Sequence, residues 1–136
     1  MKINEIAVKE ATLAKYDCVG ESRVGFEKGK KKTFEVLSFT TVKTINCVVD
    51  YGSNEVIDIE TGETFKMPVR DDDGRIVSFD KEQELQPIVI MEKNWDKISY
   101  LYQLSLKAQA KKVYNRYLLS KEEQKVKKIG SKTKEN

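Results

Sequence analysis

The chain contains no histidine, only two cysteines and two prolines, and no long uninterrupted apolar run. The missing histidine removes the commonest metal ligand and the commonest general base, and with them every Ser/His or Cys/His catalytic arrangement. A membrane span needs roughly 18 consecutive apolar residues, which the chain lacks. The N-terminal MKINEIAVKEATLAKYD also has no long apolar core ahead of a small-residue cleavage site. A soluble, cytoplasmic protein with no membrane partner is therefore expected. Cys18 (in DCVG) and Cys47 (in NCVV) read as small buried core residues in a reducing compartment rather than as a disulfide. Neither a Gly-rich nucleotide fingerprint nor a nucleophile elbow occurs, so no cofactor, no metal and no catalytic residue is assigned, and a non-enzymatic role is expected.

At 136 residues the length suits one domain with one core. Charged residues make up 35% of the chain, but aromatic and β-branched residues are spread throughout, so most of it should fold. The net charge of +3 hides an asymmetry: residues 1–93 carry 14 Lys/Arg and 18 Asp/Glu, residues 94–136 carry 11 and 4. Basic character belongs to the C-terminal third. Lysines outnumber arginines 21 to 4. A flexible point charge suits contact with a backbone of phosphates better than bidentate readout of bases.

The fold expected is α+β: a six- or seven-stranded, mostly antiparallel sheet or small barrel followed by a long C-terminal helix. Residues 1–129 should form one domain, with the β-rich body at about 17–93. The segment from Ile3 to Tyr16 fits either a short helix or an irregular strand. From Cys18 onward, short β-branched or aromatic runs alternate with interruptions rich in Gly, Asn, Asp or charge, which is the grammar of hairpins. Pro68 and Pro87 belong at strand starts, edges or bulges, because proline cannot donate to a central ladder.

At Asn94 the period changes. Asn94 is a good N-cap, and Trp95, Ile98, Tyr102, Leu106, Ala110, Val113 and Tyr117 recur at helical steps, predicting a helix over about 94–119 whose stripe packs on the sheet. Leu101, Leu104, Ala108 and Leu119 lie on a second apolar side. Ser120 with Glu123 forms a capping box that would start a short basic helix over about 121–129, and 130–136 should be a disordered tail.

Four stretches invite a chemical reading. FEKGKKKTF, residues 26–34, places Lys28, Lys30, Lys31 and Lys32 around Gly29 between two strand-like runs. A P-loop is excluded: Gly20 and Gly25 have its spacing, but Phe26 stands where the lysine should follow the second glycine. What remains is a hairpin tip whose lysines either contact a nucleic-acid backbone or protect a sheet edge from pairing. DDDG, residues 71–74, lacks the first ligand and the final glutamate of an EF-hand loop, and a turn centred on Asp-Gly explains it. Asp58, Glu60 and Glu63 fit the solvent side of a hairpin. The helix carries Lys107, Lys111, Lys112, Arg116 and Lys121 with few acids to balance them, and Tyr100, Tyr102, Tyr114 and Tyr117 supply rings for stacking or packing.

The function expected is contact with an acidic partner, nucleic acid or nucleoprotein, through the basic helix and the lysine hairpin. The alternative is a protein-binding adaptor or inhibitor, of phage or mobile-element type, that covers a partner protein's surface through the side of Leu101, Leu104, Ala108 and Leu119 or through the acidic hairpins. Self-association into a homodimer through the same side is the related expectation.

Overall fold

Two long strands form the spine. In a computed structural model, which describes residues 6–20 and 22–134 (side chains of Glu27 and of 125–134 excepted), β1 runs from Lys9 to Val19 and β4 from Leu37 to Asp50. They pair antiparallel from Lys9 opposite Cys47 to Val19 opposite Leu37, with irregularities after Leu13 and Tyr16. The first segment is thus a strand from Lys9 onward, with residues 6–8 irregular and no helix among its described residues; residues 3–5 lie outside the described residues. Short hairpins hang from this spine. β2 (Arg23–Glu27) and β3 (Lys30–Phe34) join its far end, and β5 (Glu55–Asp58) and β6 (Thr64–Lys66) continue from its near end. A third hairpin, β7 (Val69–Arg70) with β8 (Ile76–Ser78), precedes β9 (Leu85–Glu92).

The main sheet has five strands in the order β6-β5-β4-β1-β9, every pair antiparallel. It is an open sheet, not a closed barrel, although its edges meet. Between β6 and β9 no ladder forms; instead the Gln83 amide accepts from the Lys66 backbone N–H (2.9 Å) and donates to the carbonyls of Lys66 (3.0 Å) and Leu85 (2.9 Å). Pro87 sits on the β9 edge, beside the irregularity between Thr12 and Leu13, where its missing N–H costs least.

Period two along β4 divides the core. Ile45 and Cys47 face inward with Ala11, Leu13, Val56 and Phe65, inside the curl of the sheet. Val48, on the opposite face, joins Val8, Ile59, Leu106 and Ala110. The helix covers that outer face. Burying these side chains contributes roughly 1.5–3 kcal/mol each relative to exposure. Two residues expected elsewhere are found to differ. Cys18 is exposed because it lies on the spine beyond β9, whereas Cys47 is buried. Asp58 is 4% exposed rather than on a solvent face, since its carboxylate accepts from the Glu60 N–H (2.8 Å) and ties the β5–β6 turn.

The helix, α1, runs unbroken from Tyr100 to Lys134. Its start is later than Asn94, because Trp95–Lys97 forms a separate 3-10 turn and Ile98 is extended. Ser99 is the working cap: its hydroxyl accepts from the Tyr102 N–H (3.3 Å), while Gln103 donates to the carbonyls of Trp95 and Ile98 (2.9 Å each). The break expected at Leu119 or Ser120 is absent. No Gly or Pro lies between 100 and 129 to interrupt the backbone, and Lys121 pairs with Glu55 on β5 (2.7 Å), fixing the helix to the sheet just past that point. The helical backbone includes 130–134, which had been expected to be disordered; Glu135 and Asn136 lie outside the described residues. Of the predicted stripe, Leu106, Ala110 and Tyr117 are buried, Tyr114 joins them from an adjacent position, and Tyr102 is exposed.

Candidate polyanion-binding surfaces

The β2–β3 hairpin closes with a two-residue loop. Glu27 pairs with Lys30, and between them Lys28 (φ 54°) and Gly29 (φ 79°) both take positive φ, as a turn of the type I′ kind demands. Glycine adopts this conformation freely, whereas lysine at φ > 0 is disfavoured by its Cβ. Lys28, Lys30, Lys31 and Lys32 surround a hollow of ≈ 320 Å³ at the tip. Among the described side chains, no carboxylate pairs with Lys28, Lys30 or Lys31. Phe26, opposite Lys31, is 75% exposed.

One face of this hairpin is a packed wall. The Phe34 ring lies across Gly25 so closely that a Cβ there would stand 2.7 Å from it, which makes glycine necessary for the ring's position. The Arg75 guanidinium from the β7–β8 loop sits 3.9 Å from the centroid of the same ring. Arg75 is held in turn by Asp71 (3.2 Å) and Asp73 (2.8 Å). Asp71 also accepts from the N–H groups of Arg75 and Asp73, which together with the guanidinium hold its pKa below the ordinary value. DDDG is thus a hairpin loop whose carboxylates turn onto an arginine.

Between the two hairpins lies a groove of ≈ 700 Å³. Its floor includes Tyr16 and Phe79, whose ring centroids are 4.8 Å apart, with Phe39 at 5.5 Å from each behind them. Lys32 and Lys81 stand at its sides, the Lys81 ammonium 5.9 Å from the Tyr16 ring and that of Lys32 5.9 Å from Phe34. The sequence reading singled out Lys32 but not Tyr16, Arg75, Phe79 or Lys81. Tyr16 and Phe39 face each other across the spine, yet Phe79 and Arg75 come from a hairpin some forty residues later, so no local spacing announces the group.

The helix cations are placed differently from one another. Lys121 is a structural pin: it donates to Glu55, whose carboxylate raises its pKa, and it lies 5.3 Å from the Tyr117 ring. Lys107 covers Trp95 at 5.1 Å. Lys111, Lys112 and Arg116 are exposed, and no carboxylate pairs with them among the described side chains. On the side of α1 opposite Leu106 and Ala110, Leu101 is 78% and Leu119 60% exposed, with Leu104 and Ala108 also uncovered.

The hairpin and the helix are not one surface. The helix contacts Val8, Val48, Asp50 and Glu55, at the start of β1 and the end of β4. The lysine hairpin joins the other ends of the same strands, and the 11 residues of β1 between them span on the order of 30 Å. The only thiol in the core is also removed from chemistry: burial, with Asp58 adding to it, pushes Cys47 up to about 12, so it stays protonated at neutral pH. No group of three or more acidic or cysteine side chains that could hold a metal occurs among the described residues, and no described helix is long and apolar enough to cross a membrane. In comparisons with known proteins, no family model, no curated protein and no solved structure matches the chain.

Proposed function

We propose that the protein is a non-enzymatic binding module that contacts nucleic acid through the lysine hairpin. The observation that carries this reading is Lys28. A two-residue loop of this geometry favours Asn-Gly, and a lysine at its first position keeps a positive charge where an asparagine would be less strained. Together with Lys30 and Lys31, which no described carboxylate neutralises, it presents a cluster that a polyphosphate chain can pair with at several points. The helix cations belong to a separate region, so the hairpin alone is the primary contact.

Titration of a labelled oligonucleotide at several salt concentrations tests this. Binding through three or four lysines gives a slope of about −3 in log K against log salt, and Lys30→Glu with Lys31→Glu lowers affinity and flattens the slope by about two. Affinity that ignores salt would sink the reading.

A second reading rests on the outer stripe of α1. Leu101, Leu104, Ala108 and Leu119 are flanked by Lys107 and Lys111 on one side and by Lys112 and Arg116 on the other. That pattern suits an amphipathic acidic helix of a partner protein, and it opposes a second copy of this chain, whose lysines would face these. Leu101→Asp with Leu104→Asp should abolish capture of such a partner while leaving the oligonucleotide affinity unchanged. A monomer–dimer equilibrium in light scattering that the same pair removes would instead favour self-association.

A further inference from the structure

We propose that the groove between the β2–β3 and β7–β8 hairpins holds the unpaired bases of a single-stranded nucleic acid; the inference rests on the reading of the lysine hairpin as a phosphate contact. The groove begins where the lysines end. Lys32 belongs both to the tip cluster and to the groove wall, so a strand whose phosphates follow Lys28, Lys30 and Lys31 is led into it. Inside, Tyr16 and Phe79 lie on the floor with Lys81 beyond them; Glu35 and Asp71 also line the groove, and Asp71 is turned onto Arg75. Lys32 beside Phe34 and Lys81 beside Tyr16 set a cation next to a ring, which suits a chain of charged phosphates and flat bases, and stacking on rings is tolerant of sequence because every base has a π face.

The size argues for a single strand. A volume of ≈ 700 Å³ lies within the range of pockets for small organic ligands, roughly 300–1,000 Å³, which admits a base or two and not a stacked duplex. Arg75 has a different part. Its guanidinium is committed to Asp71 and Asp73, and its stacking on Phe34 links the two hairpins, so it sets the groove's width rather than supplying charge to a ligand. With its fork on Asp71 and Asp73, Arg75 offers no bidentate contact to a base edge, in keeping with stacking as the mode of contact.

Fluorescence anisotropy with labelled oligo-dT, with a duplex of equal length and with a polyglutamate peptide tests the proposal. The wild type should bind oligo-dT at least about ten-fold more tightly than the duplex. Phe79→Leu, and separately the exposed Lys81→Ala, should reduce that preference, Phe79→Leu by roughly ten-fold, in the range a base–aromatic stack supplies. Duplex affinity should stay unchanged in both, and thermal melts verify that both variants fold. Equal affinity for single strand and duplex, or single-strand binding indifferent to both variants, would overturn the groove while the hairpin reading stands, provided Lys30→Glu with Lys31→Glu still weakens both ligands. Polyglutamate binding as tightly as oligo-dT, and weakened by Phe79→Leu, would overturn it in favour of an acidic peptide. If neither oligonucleotide binds, the hairpin reading fails and the groove proposal fails with it.

Discussion

The two ends of the β1–β4 spine place the same kind of side chain in different surroundings. At the helix end, Lys9 meets Glu92 (2.8 Å), Lys93 meets Glu10 (2.9 Å) and Lys121 meets Glu55 (2.7 Å). At the hairpin end, Lys28, Lys30 and Lys31 have no such partner among the described side chains. Single aromatic residues differ in the same sense, although Tyr16, Phe39 and Phe79 pack together at the hairpin end and Tyr102 is exposed on the helix. Tyr117 is buried and bonded to Asp50 (2.9 Å), whereas Phe26 stands in solvent. At the helix end the lysines bind the elements to one another, and at the hairpin end that part is taken by Arg75 with Asp71 and Asp73. The difference teaches that composition does not tell a paired lysine from one that stands apart; the position of the nearest carboxylate does.

The largest effect should come from the helix end. Leu106 is 1% exposed, packed among Val8, Val48 and Ile59. Leu106→Ala should cost about 2–5 kcal/mol, read as a lower urea midpoint, because it removes transfer energy and leaves a cavity between helix and sheet. The matched change at the other end, Phe26→Ala, should move stability by no more than about 0.5 kcal/mol. Equal losses at the two sites would erase the contrast.

Next in size is a test within the paired lysines. The Lys93 side chain is 8% exposed and also donates to Asn46 (2.7 Å), while its partner Glu10 is partly wet. Removing a fully buried partner costs about 3–5 kcal/mol and an exposed one at most about 1, so Lys93→Met should fall between, at about 1–2 kcal/mol. Lys9→Met should cost less than about 1 kcal/mol, since Glu92 is 80% exposed and water replaces the ammonium. Lys31→Met should leave stability unchanged and weaken oligonucleotide binding. Urea titrations of the three variants side by side order them.

How much of this was legible in the sequence depends on range. The α1 stripe through Leu106, Ala110 and Tyr117 repeats at helical spacing within one segment, and the Lys28-Gly29 turn is declared by two adjacent residues, so both could be read directly. The helix start could not, because Asn94 and Ser99 are equally good caps, and only Ile98 in extended conformation separates the 3-10 turn from α1. Asp58 looked like a solvent residue by alternation, yet its carboxylate is used inside its own turn. The groove was least visible of all. Tyr16, Phe34, Arg75 and Phe79 are gathered by the docking of one hairpin against another, which no periodicity encodes.

The smallest effect expected is a pH dependence lodged in the bond that ties α1 to the end of β4. Burial by itself would raise the Asp50 pKa, but hydrogen bonds from the Tyr117 hydroxyl and from Ser53 outweigh it and hold the carboxyl below its ordinary 3.8. Burial first, and the bond to Asp50 after it, raise Tyr117 above 10.0. The two signs differ. A depressed carboxyl contributes stability that is present above about pH 3.8 and lost as pH falls through its lower folded value; a raised phenol contributes stability present below about pH 10 and lost as pH climbs past it. Tyr117→Phe should therefore cost about 1 kcal/mol at neutral pH, for a partly exposed bond to a charged acceptor, and should flatten both flanks of the stability profile. Asp50→Asn should reduce the acid flank, leaving the share of Asp71, and reduce the alkaline one, because the phenol keeps its burial but loses its anionic acceptor. A Tyr117→Phe profile that runs parallel to the wild type at both extremes would mean that the helix is held by apolar packing alone. The contrast between the two ends would then rest on Leu106 and its neighbours rather than on paired charges.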